Sequence, residues 1–213
     1  MDVLLTEEER LEALQRWWKE NRQSIIVGIL LGIAVIIGWS MWQKSRHATA
    51  AEASNLYQQL LKAARDHQTE SATKLSERLV AQYSSTAYAD YSRLFLAKLK
   101  VEAGDLAGGK KALEDALAKT GDDNLKHLAR LRLGHVMLAM GDIEPALNLI
   151  VPFPAEKTGK FTGLYEDLKG DLYAASNRPE LARASYEKAK ELGEISPLLQ
   201  LKLNDLPAAS GGS

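Results

Sequence analysis

The chain has 213 residues, a formal net charge of −1 and no cysteine. Without cysteine it has no disulfide, no thiolate metal site and no cysteine nucleophile. Its lysines and arginines balance its acidic residues on both sides of the most apolar segment, which excludes the basic field that nucleic-acid binding requires.

Residues 1–23 predict a short amphipathic helix that leads into this apolar segment. Thr6 and Glu9 have the spacing of a capping box, which marks the start of a helix. Leu11, Leu14 and Trp18 then recur at helical spacing. We expect this helix to lie at a membrane surface, and a regulatory contact with a cytosolic partner is the alternative.

Residues 24–42 read SIIVGILLGIAVIIGWSMW and contain no charged side chain. A helix of that length spans roughly 28 Å, which is close to the hydrocarbon core of a lipid bilayer. A signal peptide cleaved after Ala48-Thr49-Ala50 and the core helix of a soluble protein are the alternatives. The length of the run, and the cations Lys44 and Arg46 directly after it, favour a permanent membrane helix.

Two further features concern the topology and packing of this helix. Gly28 and Gly32 form a GxxxG pair, which predicts a face for membrane-helix pairing, although glycine is common in membrane helices generally. The cations that flank the span are nearly balanced: Arg10, Arg16, Lys19 and Arg22 precede it, and Lys44, Arg46 and Lys62 follow within a similar distance. The larger number lies on the side of the short N-terminal segment. That arrangement favours a cytosolic N-terminus and places the rest of the chain on the opposite side.

Residues 43–206 predict an all-α domain of repeated helix pairs. Three turns each follow an apolar helix, and they contain Gly104, Gly141 and Asn177. Five positions after each turn residue stands a small residue in a second helix: Gly109, Ala146 and Ala182, with Ala72 as a fainter earlier copy. The period of roughly 37 residues is near that of a tetratricopeptide repeat. An irregular helical bundle is the alternative.

The repeat explains where the small and large residues of this domain stand. Small residues seven positions before each turn allow the paired helices to cross closely: Ala97, Gly134 and Gly170. Tyr173 and Tyr186 are expected to fill the space between helices. The fold class predicted is therefore all-α, with a single N-terminal transmembrane helix followed by a tetratricopeptide-like α-solenoid.

The end of the chain departs from the repeat. Residues 151–163, VPFPAEKTGKFTG, predict a longer loop in place of part of a second helix. Ser196 and Pro197 start a final helix over residues 198–206, which we expect to cap the solenoid with its leucines: Leu198, Leu199, Leu201 and Leu203. Residues 207–213 predict a disordered tail.

With the anchor and the repeats in view, the chain resembles the ancillary SecYEG translocon subunit family. The resemblance is carried by residues 11–43, LEALQRWWKENRQSIIVGILLGIAVIIGWSMWQ, by the repeats and by the closing SPLLQLKLNDL. It implies an inner-membrane protein with a cytosolic N-terminus and a periplasmic domain. It also implies association with the Sec translocon and with a membrane-anchored periplasmic prolyl-isomerase-like chaperone. No catalytic residue is carried over by it.

The residues themselves predict a binding protein, with neither enzyme activity nor a cofactor. His127 and His135 are eight apart, which is not the spacing of a zinc-binding pair on one helix face, and no Ser, His and acid can be linked as a triad. In a repeat of this type the first helices line a groove. By register the candidate partner-binding residues are Tyr91, Leu94, Lys98, Leu128, Leu131, His135, Leu138, Leu164, Asp167 and Asp171.

The resemblance implies two functions. The first is a membrane-anchored interaction adaptor that helps transfer emerging polypeptides from the Sec translocon to periplasmic chaperones. The second is a membrane-bound regulator that links envelope stress to a cytosolic response regulator through residues 1–23.

Leucines in the groove suggest a binding surface, and the alternative is that some of them are buried core.

Overall fold

The computed structural model describes residues 7–153, 155–193 and 196–207. The chain divides into two compact units, Met1–Ala51 and Glu52–Ser213. Thr6 and the Glu9 side chain, which form the predicted capping box, lie outside what the structure describes, and so does the predicted tail from residue 208 onward.

The first helix, α1, runs over Glu7–Arg65, so that the predicted lead-in and the predicted span form one continuous helix. It is long and apolar enough to cross a membrane, and none of its most apolar window is buried within the protein. Near the end of that window the rings of Trp39 and Trp42 lie 5.1 Å apart, and the Arg46 guanidinium lies 4.8 Å from the Trp42 ring. Aromatic and cationic side chains at this position suit a membrane–water interface.

The second unit contains the end of α1 and further helices, and the described residues contain no strand. Their bounds are α2 Thr69–Gln82, α3 Ala87–Glu102, α4 Leu106–Lys119, α5 Asp123–Met140, α6 Ile143–Ile150, α7 Ala155–Thr158, α8 Thr162–Ala175, α9 Pro179–Glu191 and α10 Pro197–Asp205. The pairs α3 with α4, α5 with α6, and α8 with α9 pack together, and each pair also contacts the next.

The turn inside each pair has the same backbone conformation. Gly104, Gly141 and Asn177 all have positive φ angles, of 80°, 81° and 57°. In the turn at Gly141, its amide donates to the Leu138 carbonyl at 3.0 Å, and the following amide donates to the Met137 carbonyl at 2.9 Å. These two hydrogen bonds satisfy free carbonyl groups at the end of the helix, and the same pair of bonds recurs at the other two turns.

A fourth turn of this kind precedes α2. His67 has a φ angle of 56°, its amide donates to the Ala64 carbonyl at 3.2 Å, and the Gln68 amide donates to the Ala63 carbonyl at 2.9 Å. Ala72 follows five positions later and is fully buried. The faint first copy predicted from Ala72 is therefore a complete helix pair, made by the end of α1 and α2.

The small residues lie where helices cross, as the repeat requires. Ala72, Ala146 and Ala182 have no exposed surface. A Cβ atom at Gly109 would lie 2.5 Å from the Val101 Cγ2 atom, and one at Gly170 would overlap the Tyr186 ring. These contacts leave no space for larger side chains, because packed interiors have few voids.

The last part of the chain corrects two predictions. The predicted loop contains α7 and a 3-10 turn at Gly159–Phe161 before α8 starts at Thr162. In α10, which Ser196 caps by accepting from the Leu199 amide at 3.0 Å, Leu199 and Leu203 are buried. Leu198 and Leu201 are 60% and 57% exposed, so the prediction that they cap the solenoid is wrong. One face of a single helix cannot bury all four leucines.

Candidate functional site

The predicted groove residues lie on the first helices of the pairs, α3, α5 and α8. Tyr91, Lys98, His135 and Leu164 are exposed, and Leu128 is half-buried. The helices that carry them are fixed by the turns and close crossings described above. Arg93 adds a further link, because its buried guanidinium binds Asp90 at 2.7 Å within α3 and Asp115 of α4 at 3.0 Å.

Two cavities open between these helices. One, of about 340 Å³, lies between the end of α1, α3 and α5, and its lining includes Tyr57, Tyr91, Phe95, Lys98, Leu128 and Arg132. The other, of about 370 Å³, lies against α3, α4 and α5, and its lining includes Lys98, Val101, Leu113, Arg132, His135 and Val136. We call the surface that holds both cavities the open groove. Cavities of this size lined by apolar side chains are typical of binding sites.

Two of the predicted groove leucines belong to the core instead. Leu94 and Leu131 are each 5% exposed and pack within the main hydrophobic cluster of the domain. Leu94 still contributes to the lining of the smaller cavity, whereas Leu131 lines neither cavity. Leu138 is half-buried against the same cluster. The prediction that Leu131 is exposed in the groove is wrong, because a buried stripe and a groove stripe have the same helical spacing.

The two predicted groove aspartates bind a lysine of the last helix. Lys202 Nζ lies 2.9 Å from an oxygen of Asp167 and 2.8 Å from an oxygen of Asp171. The Tyr186 hydroxyl also donates to Asp171, at 2.8 Å. We call Lys202, Asp167, Asp171 and Tyr186 the Lys202 clasp. It joins α8, α9 and α10, so these carboxylates already have partners within the chain.

The electrostatics of the Lys202 clasp follow from burial and hydrogen bonding. Burial opposes the charge on Lys202, but its hydrogen bonds to Asp171 and Asp167 outweigh that effect and raise its pKa. The pKa of the Tyr186 hydroxyl is raised far above its ordinary value by burial and by its hydrogen bond to Asp171. Both groups therefore keep their protons at neutral pH, and the clasp holds one cation between two carboxylates.

His135 lines the larger cavity of the open groove, and the charged groups of the Lys202 clasp act on it. Its ring reaches water, yet protein atoms surround it closely enough that desolvation lowers its pKa. The Asp171 and Asp167 carboxylates oppose this shift, and the Lys202 ammonium adds to it. His135 is therefore neutral at pH 7.

Several residues of the site were not predicted. Tyr57, Phe95 and Arg132 line the open groove, and Lys202 completes the clasp. Tyr57 stands one repeat period before Leu94, so extending the repeat register to the end of α1 would have identified it. Lys202 lies in the last helix, outside the repeats, and no periodic signal points to its contact with α8.

Gly28 and Gly32 lie on the exposed surface of α1. A Cβ atom at either position would meet nothing within 4 Å. The surface that they form is open to another helix, and its pairing remains a prediction.

Comparison with known proteins supports the fold and extends over nearly the whole chain. A family profile described as "Tetratricopeptide repeat-like domain" matches residues 15–208, which confirms the predicted repeats. The chain is 32% identical over 209 residues to a Haemophilus influenzae protein, a match covering 97% of this chain and 100% of that protein. It is 30% identical to an Aggregatibacter actinomycetemcomitans protein and 28% identical to an Escherichia coli K12 protein, each over 97% of this chain and at least 99% of the relative. All three relatives carry the name "Ancillary SecYEG translocon subunit".

Proposed function

The chain belongs to the family of ancillary SecYEG translocon subunits, and from this membership we propose that it is a membrane-anchored adaptor beside the Sec translocon. The observation that carries the proposal is the similarity over 97% of the chain, which includes both the apolar helix and the helical repeats. An adaptor requires binding surfaces and no turnover. The open groove supplies such a surface.

The proposed location is the bacterial inner membrane, crossed once by residues 24–42. Residues 1–23 then lie in the cytosol, and residues 43–206 form the periplasmic domain. The charge-free run supports the crossing, and the cations before it support the orientation. Anchoring confines the repeat domain to a thin layer at the membrane, which raises its effective concentration near partners held in the same layer.

Within this location, the adaptor helps transfer emerging polypeptides from the translocon to periplasmic chaperones. One expected partner is a membrane-anchored periplasmic prolyl-isomerase-like chaperone. Tyr91, Lys98, Leu128 and His135 are the residues proposed to contact partners, because they are accessible and border the open groove. Leu164 is exposed on α8 and extends the same register toward the Lys202 clasp.

Site-specific photocrosslinking in intact membranes tests this proposal. A photoreactive residue at Tyr91 or His135 is expected to give adducts with translocon subunits or with a membrane-anchored chaperone. Lys111, which is exposed on α4 and lines neither cavity, is the matched control position. A probe at Gly28 tests the membrane-helix pairing. Equal adducts from the groove and from Lys111 would refute the groove assignment, and recovery of no translocon component would refute the adaptor.

A second function is supported by the first turns of α1. Leu11, Leu14, Trp17 and Trp18 are all more than half exposed, so this segment has an apolar surface, and we propose that a cytosolic response regulator binds there. Deletion of residues 2–20 with the span retained separates the two functions. Regulation through this segment predicts a changed stress readout with unchanged translocon recovery, and an unchanged stress readout contradicts it.

A further inference from the structure

The two cavities of the open groove are apolar inside and share a cationic wall. Lys98 of α3 and Arg132 of α5 line both of them. On one side of this pair the smaller cavity is bordered by the aromatic rings of Tyr57, Tyr91 and Phe95. On the other side the larger cavity is bordered by Val101, Leu113 and Val136, and its lining also includes Glu102, the ion-pair partner of Lys98. A positive strip therefore lies between two apolar depressions.

The cations of this strip are only weakly engaged by the rest of the protein. Arg132 is exposed and has no hydrogen-bond or ion-pair partner among the residues that the structure describes. Lys98 lies 3.6 Å from Glu102, with both side chains more than half exposed, and 5.7 Å from the Phe95 ring centroid. An exposed ion pair of this length contributes little, so both cations can bind an anion from outside.

The Lys202 clasp, which lines neither cavity, differs in this respect. There the Asp167 and Asp171 carboxylates are occupied by Lys202 at 2.9 Å and 2.8 Å. A ligand gains no ion pair at the Lys202 clasp unless it displaces Lys202. Charge complementarity therefore selects the open groove and selects an acidic ligand.

We propose that the open groove binds polypeptide segments in which a carboxylate stands between two large apolar side chains. The inference rests on the proposed adaptor function, since it states which chemistry the adaptor recognises in its partners. The carboxylate binds Arg132, whose planar guanidinium can bind both carboxylate oxygens, and Lys98 adds a second cation. The apolar side chains on each side fill the two cavities and exclude water from this ion pair.

The flanking cavities decide between this ligand and simpler ones. A neutral apolar segment could fill both cavities, but it would cover the Arg132 guanidinium without giving it a hydrogen-bond acceptor. An acidic segment without apolar side chains would make only an exposed ion pair with little affinity. A segment with both a carboxylate and apolar side chains uses the cations and the two cavities together, and the test varies these two features of the peptide separately.

The test measures peptide binding to the full chain in lipid nanodiscs by fluorescence anisotropy. The probes are short labelled peptides in a glycine–serine background, with one glutamate between two phenylalanines at several separations. Matched peptides carry glutamine or lysine in place of the glutamate, or serine in place of the phenylalanines. The glutamate peptide with the best separation is expected to bind about tenfold more tightly than its glutamine counterpart, because a charge-assisted hydrogen bond contributes about that factor.

Two substitutions of the same kind separate the groove from the rest of the surface. Arg132→Gln is expected to remove the preference for glutamate over glutamine. Arg78→Gln, on the exposed surface of α2 and away from both cavities, is expected to leave the preference unchanged. Arg132 is exposed and unpaired within the described residues, so its replacement should not unfold the domain, and the thermal unfolding of both variants checks this.

The outcomes also distinguish this inference from the adaptor function. Equal binding of the glutamate and glutamine peptides, or equal effects of the two arginine substitutions, overturns the inference. Self-association of the chain that Arg132→Gln abolishes assigns the groove to a second copy and overturns it as well. A chain that binds the glutamate peptides but recovers no translocon component from membranes overturns the adaptor function alone. Translocon recovery without the peptide preference overturns the groove chemistry alone.

Discussion

The replacement Lys202→Met is the sharpest test of how the end of the domain is held. Lys202 Nζ lies 2.9 Å from Asp167 and 2.8 Å from Asp171, and all three side chains are about one-fifth exposed. The substitution keeps most of the aliphatic stem but leaves two neighbouring carboxylates without their shared cation. We expect α10 to lose its main polar contact with α8.

The expected loss of stability lies between that of an exposed and that of a buried ion pair. An exposed pair contributes less than about 1 kcal/mol, and breaking a buried one costs about 3–5 kcal/mol. With the burial seen here, the free energy of unfolding should fall by about 2 kcal/mol. For a domain of this size that corresponds to a Tm lower by roughly 4–8 °C. Thermal unfolding of the full chain in detergent, followed by circular dichroism, measures the change.

Hydrogen exchange shows where the stability is lost. In the Lys202→Met variant the amides of α10 should exchange faster, while those of α3 and α4 keep their protection. Lys190→Met is the matched control, because Lys190 also contacts α10, through Gln200 at 3.3 Å, but is exposed. Its Tm should stay within about 2 °C of the wild type. A Lys202→Met protein with wild-type Tm and unchanged α10 exchange would refute the role given to the Lys202 clasp.

Three further predictions concern the turns, the crossings and pH. Gly170→Ala forces a Cβ atom into the Tyr186 ring, so the free energy of unfolding should fall by about 1–3 kcal/mol. The control Gly121→Ala has open space around the new Cβ atom, and its free energy of unfolding should change by less than about 0.5 kcal/mol. His67→Gly should raise stability by about 0.5 kcal/mol, because a positive φ is more costly for histidine than for glycine, and an unchanged or lower Tm would contradict this. The lowered pKa of His135, which Asp167, Asp171 and Lys202 face, makes the folded state bind fewer protons than the unfolded state. The contribution of neutral His135 to the free energy of unfolding is therefore fully present above the unfolded pKa of about 6.5, and it is lost as the pH falls through the lower folded pKa. His135→Gln should accordingly make Tm depend less on pH below about 6.5.

The repeat could be predicted because its physical requirements recur along the chain. The turns that require a left-handed backbone conformation contain Gly104, Gly141 and Asn177, and glycine and asparagine are the residue types that indicate this conformation in a sequence. His67 adopts the same conformation, but histidine does not predict it, because histidine has a positive φ much less often than glycine. The first helix pair was therefore visible only through Ala72.

The site was less predictable than the fold, because helical spacing shows which residues share a helix face but does not show how deeply each of them is buried. Leu128 and Leu131 have the same character in the sequence, yet Leu128 borders a cavity and Leu131 lies in the core. Their difference depends on how neighbouring helices rotate against each other. The contact of Lys202 with Asp167 joins residues from a repeat and from the final helix, and no local pattern encodes it.

The segment between α6 and α8 departs from the regular repeat. Helix α6 ends after eight residues, whereas its counterpart α4 has fourteen. The distance between the turns at Gly141 and Asn177 nevertheless stays near the period of roughly 37 residues seen in the other copies. The connection that begins at Val151 is longer than the one between α4 and α5, and α8, with 14 residues, is shorter than α5, with 18, so the next turn stays in register with the stack. The helix lengths within a repeat can therefore change while the stacking of α8 and α9 on α5 and α6 is kept.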